Sequence, residues 1–152
     1  LGSIESSNSD NYKIYQSKDN DKVTGYAIPI AGKGLWGTMY GYFAIEPDAE
    51  TVKGITFYRH KETPGLGAEV DKEWFQSNFI GKKLIDANGS LVSVEVVKGY
   101  VSSTDPKSMH KVDGISGATI TGKGLTTFLK NDLQKYEPYL SKVRKLNQIE
   151  SL

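Results

Sequence analysis

The segment GTMYGYFAIE, residues 37–46, puts Met39, Phe43 and Ile45 on one side of an extended chain and Tyr40 and Tyr42 on the other. Strand side chains alternate between faces, so this is the pattern of a sheet with one buried face. Pro47 and Asp48 supply a turn, and TVKGITFYR, residues 51–59, makes the return strand. Strands joined by so short a loop run antiparallel. Upstream, Tyr12–Gln16 and Val23–Ile30 are short, rich in β-branched and aromatic residues, and predict two further strands. Downstream, Val70–Ile80 predicts a short helix with Val70, Trp74 and Phe75 on one face. The turn signal Asn88-Gly89 precedes LVSVEVVK, residues 91–98, where Val92, Val94 and Val96 alternate with Ser93 and Glu95 as in a strand. After Gly124 the apolar positions Leu125, Phe128, Leu129, Leu133 and Tyr136 fall at helical spacing. Pro138 is expected to end that helix and open another, continued by Leu140 and Val143. The fold class expected is α+β: an antiparallel sheet packed with helices, the last of them following a glycine-punctuated loop.

The 152 residues suit one domain, and the hydrophobic share of 38% suffices for a single core. A net charge of +1 gives no electrostatic case for a nucleic-acid partner. The absence of cysteine excludes disulfides, thiolate metal sites and a cysteine nucleophile. His60 and His110 lack neighbours at metal-ligand spacing, so no metal site is expected. No catalytic triad and no dinucleotide-binding fingerprint can be argued. Residues 1–11 are mostly polar and suggest a linker or cloning remnant ahead of a single domain over 12–152. No apolar run approaches the ~20 residues needed to span a bilayer. Lys142, Arg144 and Lys145 suggest a solvated basic face.

The chemistry concentrates in VDGISGATITGKGL, residues 112–125. Gly114, Ser116, Gly117, Ala118 and Gly122 are small, and they stand just ahead of the amphipathic helix. Backbone N–H groups there can converge on an anion, which the helix dipole also favours. Thr119 and Thr121 put hydroxyls at the same end, where such residues commonly cap a helix. A well-capped helix start explains the segment equally well. A nucleotide-binding loop explains it poorly. Gly117–Lys123 fits most of the phosphate-loop pattern, but Gly124 has no hydroxyl for magnesium and no buried strand precedes the loop.

Asp113-Gly114 followed by SGATIT resembles the flavinylation motif D-x-x-[ST]-G-A-[ST] of FMN-binding domains. These occur in the C subunit of the sodium-translocating NADH:quinone reductase and in the G subunit of the related Rnf complex. The resemblance implies that a flavin transferase esterifies FMN through its phosphate to Thr119. Asp113, Ser116, Gly117 and Ala118 complete the motif, and Thr121 is the second hydroxyl nearby. HKETPGLGAEV, residues 60–70, resembles another segment shared by both subunits. Pro64-Gly65 predicts a tight turn and Gly67 a close backbone approach. By resemblance this loop lies against the flavin, with Glu62 and Thr63 as polar contacts and Leu66 as an apolar one. GLWGTMYGY, residues 34–42, is similar to the quinone reductase protein rather than the Rnf protein. Trp36 stacks near the flavin ring on this reading, or is a core or rim aromatic.

The resemblance implies an electron carrier with no substrate site of its own, belonging to a membrane redox complex that oxidises NADH, reduces quinone and pumps sodium. It further implies a single-pass helix before this chain, anchored in the bacterial inner membrane, with this domain in the periplasm. The alternatives are an Rnf-type carrier and a module that binds a phosphate or flavin non-covalently.

Overall fold

A computed structural model describes residues 12–151, together with the backbone of residues 2–5. The linker or remnant read over residues 1–11 otherwise lies outside the described residues. Five strands form one antiparallel sheet in sequence order: β1 (Gly2–Glu5), β2 (Lys13–Asp19), β3 (Lys22–Lys33), β4 (Thr38–Ile45) and β5 (Val52–Arg59). Met39, Phe43 and Ile45 of β4 are buried, as their alternation predicts, while Tyr42 is exposed and Tyr40 half-buried on the opposite face. The β4–β5 turn is closed by Asp48. Its carboxylate accepts the N–H groups of Glu50 and Thr51, each at 2.9 Å, and the Thr51 hydroxyl at 2.5 Å.

One long helix, α2 (Thr119–Glu150), covers the buried face and packs chiefly against β3. Leu125, Phe128, Leu129, Leu133, Tyr136 and Leu140 face the sheet, completing the α+β core. Polar contacts fix its position on the sheet. Asp132 accepts the Ala31 N–H of β3 at 2.8 Å, and the Tyr136 hydroxyl donates to the Lys13 carbonyl of β2 at 3.1 Å. The helix runs unbroken through Pro138, against expectation. Proline removes one helical hydrogen bond, but residues on both sides of it are held down. Tyr136 and Leu140 are buried, and Arg144 donates to the Ala49 carbonyl at 2.9 Å. Arg144, 8% exposed and ion-paired with Glu137, therefore does not belong to a solvated basic face.

Two more expectations are corrected between the sheet and α2. Val70–Ile80 is not one helix but three short pieces: a 3₁₀ turn (Gly67–Asp71), α1 (Glu73–Gln76) and a second 3₁₀ turn (Ser77–Phe79). Val70, Phe75 and Phe79 are buried, while Trp74 is exposed. The strand expected over residues 91–98 shrinks to β6 (Glu95–Val96), paired in parallel with β7 (Lys111–Val112). Ser93 has φ 64°, a left-handed conformation that breaks the extended run, and it is buried where the alternation places it outside. The parallel pair brings the loop after β6 alongside the segment that enters α2.

Candidate functional site

α2 begins at Thr119, six residues before the helix was expected, so Gly122 and Gly124 lie inside it. Gly124 faces backbone too close for a larger residue, and Gly122 a side chain in tight contact. A Cβ on Gly122 would stand 3.1 Å from a Val96 methyl, and one on Gly124 would be under 3.0 Å from the Lys33 carbonyl oxygen. No side chain caps this end of the helix, so the expected Thr capping does not form. The first N–H groups of a helix have no intrahelical partner, and they carry the positive end of its dipole.

The segment before the helix is shaped by Asp113 and Gly117. Asp113 accepts the Val101 N–H at 2.7 Å, and Gly114 donates to the Gly99 carbonyl at 2.8 Å, which lays residues 99–101 beside the loop. Gly117 has φ 75°, open to glycine at little cost. A Cβ there would also stand 3.0 Å from Leu66, so Leu66 lies over this turn. Ser116 and Gly117 are exposed and Ala118 is buried.

The two threonines have different environments. Thr121 is 1% exposed and donates its hydroxyl to Glu62 at 2.7 Å. Thr119 is half-buried and lines a cleft of 220 Å³ with Lys98, Gly99, Gly114, Ile115 and Lys123. On the other flank a groove of 740 Å³ runs between Gly32–Gly34 at the end of β3 and Ile120, Lys123 and Phe128 of α2. Lys123 belongs to both walls.

The loop after β5 meets the same end of α2. Thr63, Pro64, Gly65 and Leu66 are exposed, and Gly65 takes φ 77° in the turn expected there. Gly67 is buried, and a Cβ on it would stand 2.6 Å from the Thr121 hydroxyl. Glu62 does not point out with its neighbours. Its carboxylate accepts the N–H of Leu35 at 2.7 Å, the N–H of Trp36 at 3.1 Å and the Thr121 hydroxyl. Burial would push this carboxyl up, but the Thr121 hydroxyl and the two N–H groups hold it below the usual carboxylate range. Trp36 is 63% exposed, and its indole N–H donates to the Thr63 hydroxyl at 3.0 Å.

All the residues singled out from the three motifs thus gather around one end of α2. His60 and Asp71, which are not among the expected site residues, join them. The Glu62 N–H donates to His60 Nδ1 at 3.1 Å, so Nε2 carries the proton and donates to Asp71 at 2.6 Å. The spacing of His60 and Glu62, two apart in a turn, is the available sequence signal.

The FMN-binding domain family model matches residues 34–134. The C subunit of the Na(+)-translocating NADH-quinone reductase of Pseudomonas aeruginosa is 41% identical over 134 residues, 87% of this chain and 51% of that protein. The corresponding protein of Chlamydia muridarum is 42% identical over 142 residues, 86% of this chain and 45% of that protein. The chain spans about half the length of the curated relatives it matches. Among solved structures, the C subunit of the Na(+)-translocating NADH-quinone reductase of Parabacteroides distasonis superposes with a TM-score of 0.76 at 39% identity, covering 85% of this chain and 62% of that one. NqrC of Shewanella oneidensis gives 0.78 at 31% identity, covering 94% and 69%. With the matched region taking in β4, β5, the Glu62 loop and the start of α2, this chain belongs to the FMN-binding domain family and is similar to the C subunit of Na(+)-translocating NADH-quinone reductase.

Proposed function

We propose that this chain is an electron-carrying domain that holds FMN as a phosphoester on Thr119, within a sodium-translocating NADH-quinone reductase. The observation that carries the reading is the contrast between two neighbouring hydroxyls. Thr121 is buried and bonded, whereas Thr119 is half-buried and lines a cleft at an uncapped helix N-terminus. A phosphate ester there keeps its remaining charge beside free N–H groups. Space for the group supports the reading, since the cleft and the adjoining groove flank the start of α2 on both sides. When bound, FMN supplies the electron-transfer chemistry that the side chains lack.

The residues of this chain would attach and orient it. Thr119 would provide the ester oxygen. Ser116, Gly117 and Ala118 would keep the approach unobstructed for a flavin transferase. Leu66 and Trp36, both exposed, would offer apolar surface to the ring, with Thr63, Pro64 and Gly65 forming the turn that presents them. Asp113 would hold the loop in shape through Val101. The similarity to the quinone reductase proteins favours this complex over the Rnf type. The other subunits of that complex, NADH and quinone chemistry, and sodium transport belong to this proposal. So do a single N-terminal inner-membrane anchor outside this chain and a periplasmic position for the domain. Among the described residues no helix is long and apolar enough to cross a membrane.

Mass spectrometry tests the attachment. Protein co-expressed with a flavin transferase should gain the mass of FMN less one water, and the adduct should survive denaturation and map to Thr119. Thr119→Val should abolish it. Flavin released completely by denaturant would instead establish a non-covalent module.

A further inference from the structure

We propose that Glu62 is a positioning residue: its carboxylate locks the Trp36 loop to the helix that bears Thr119, and so fixes the indole relative to the attachment point. The inference rests on the reading of Thr119 given above. Its basis is that three donors from two remote segments converge on one side chain. Leu35 N–H and the Thr121 hydroxyl meet Oε1, each at 2.7 Å, and Trp36 N–H meets Oε2 at 3.1 Å. An ionised carboxylate only accepts, so it alone among side chains of this size satisfies all three donors. The residue is 5% exposed, and glycines make the space around it. A Cβ on Gly34 would stand 2.6 Å from Oε1, and one on Gly67 would stand 2.9 Å from the Glu62 Cβ. Behind it, the Asp71–His60 pair fixes the Glu62 N–H.

With its carboxylate committed inward, Glu62 reaches a ligand only through the residues it holds. Chief among them is Trp36. An exposed indole would ordinarily sample several rotamers, yet this one is held at its backbone N–H by Glu62 and at its ring N–H by Thr63.

The isosteric variant Glu62→Gln separates the contacts. Its amide oxygen can keep Leu35 and Thr121, but its NH₂ then faces the Trp36 N–H, donor against donor. The test uses apoprotein in a Trp74→Phe background, so that only Trp36 of the two tryptophans emits. Glu62→Gln should lower the steady-state anisotropy of Trp36 and increase its quenching by iodide, with the far-UV circular dichroism unchanged. Thr121→Val, which cuts the lock at its helix end but spares the Trp36 contact, should lower the anisotropy in the same direction by less. Hydrogen exchange of the unmodified protein gives a second readout that needs no variant. The Leu35 and Trp36 amides should exchange at least about tenfold more slowly than unbonded loop amides. Unchanged anisotropy in a folded Glu62→Gln protein, or unprotected Leu35 and Trp36 amides, would overturn the proposal. Parallel mass spectrometry keeps the two readings apart. An adduct on Thr119 with unchanged anisotropy removes the positioning role alone, whereas lowered anisotropy without any adduct leaves the lock standing and removes the attachment.

Discussion

Replacing Gly124 by alanine should destabilise this protein, although the same change in most helix interiors stabilises by about 0.8–1.0 kcal/mol. The new Cβ would lie under 3.0 Å from the Lys33 carbonyl oxygen at the end of β3. Non-bonded heavy atoms prefer about 3.5–4.0 Å. The obstacle is backbone, which cannot rotate aside as a side chain can, so α2 and β3 must part by roughly 0.5 Å or more. That gap runs beneath Leu125, Phe128 and Leu129, all buried, and a gap of ~0.5–1 Å forfeits about a quarter to a half of each contact. Overpacking of this kind costs about 1–3 kcal/mol. Set against the helix-propensity gain, the net loss is about 0–2 kcal/mol, toward the upper value because the obstacle is backbone, which for a domain of this size lowers Tm by up to about 8 °C. Gly122→Ala is the control in the same turn of helix. Its Cβ would meet a Val96 methyl at 3.1 Å, a side-chain contact able to yield. Urea titration followed by far-UV circular dichroism should place the Gly124→Ala midpoint below wild type and the Gly122→Ala midpoint near or above it, with equal slopes. A Gly124→Ala protein as stable as wild type would show that the close approach to Lys33 does not constrain the helix.

Two pH-dependent outcomes follow from groups whose titration folding shifts. Burial would raise the Asp48 carboxyl, but the Thr51 hydroxyl, the Glu50 and Thr51 N–H groups and the Lys83 ammonium together hold it low. A carboxyl depressed on folding contributes stability that is present above its unfolded value, about pH 4, and is lost as pH falls through the folded value. Urea midpoints should therefore fall less between neutral pH and about pH 3 in Asp48→Asn than in wild type, and equal falls would refute the assignment. The Tyr136 phenol is pushed up to about 12 by burial, with the charges of Asp132, Tyr12 and Tyr15 adding. A phenol raised on folding stabilises fully below its unfolded value of about 10, and that contribution is lost as pH rises toward the folded value. Tyr136→Phe should flatten the alkaline limb of stability between those two values, and an unchanged limb would count against it.

The sheet is legible because β4 alternates without interruption and its turn carries Pro47 and Asp48. The convergence of the motifs is legible, since Thr119, Leu66 and Trp36 do gather at one end of α2. The illegible parts share a physical cause, which is that tertiary contacts override local signals. Gly122 and Gly124 weaken a helix in isolation, so the pattern reads as a helix only from Leu125, but Gly124 is needed where α2 meets the Lys33 backbone. Pro138 signals a break, yet packing of Tyr136 and Leu140 on either side carries the helix through. Ser93 fits an alternating strand by residue type, and only its positive φ removes it. Arg144 reads as solvated because its partners, Ala49 and Glu137, come from a distant turn and from two turns earlier in its own helix.

The register of α2 is what assigns different tasks to two threonines only two positions apart. At 3.6 residues per turn, positions 119 and 121 point about 200° apart. Once Thr121 faces the Glu62 carboxylate, Thr119 must face away from it. Starting the helix at residue 119 rather than after Gly124 is what creates this opposition. It also accounts for the segment's likeness to a phosphate loop. Gly117 is there for a left-handed turn beneath Leu66, Gly124 is there for close packing on β3, and Gly122 lies against Val96. Stripped of those packing glycines, the segment retains one feature with no evident packing role: a threonine hydroxyl lining a cleft at an uncapped helix start, opposite the face on which a buried carboxylate holds the Trp36 loop.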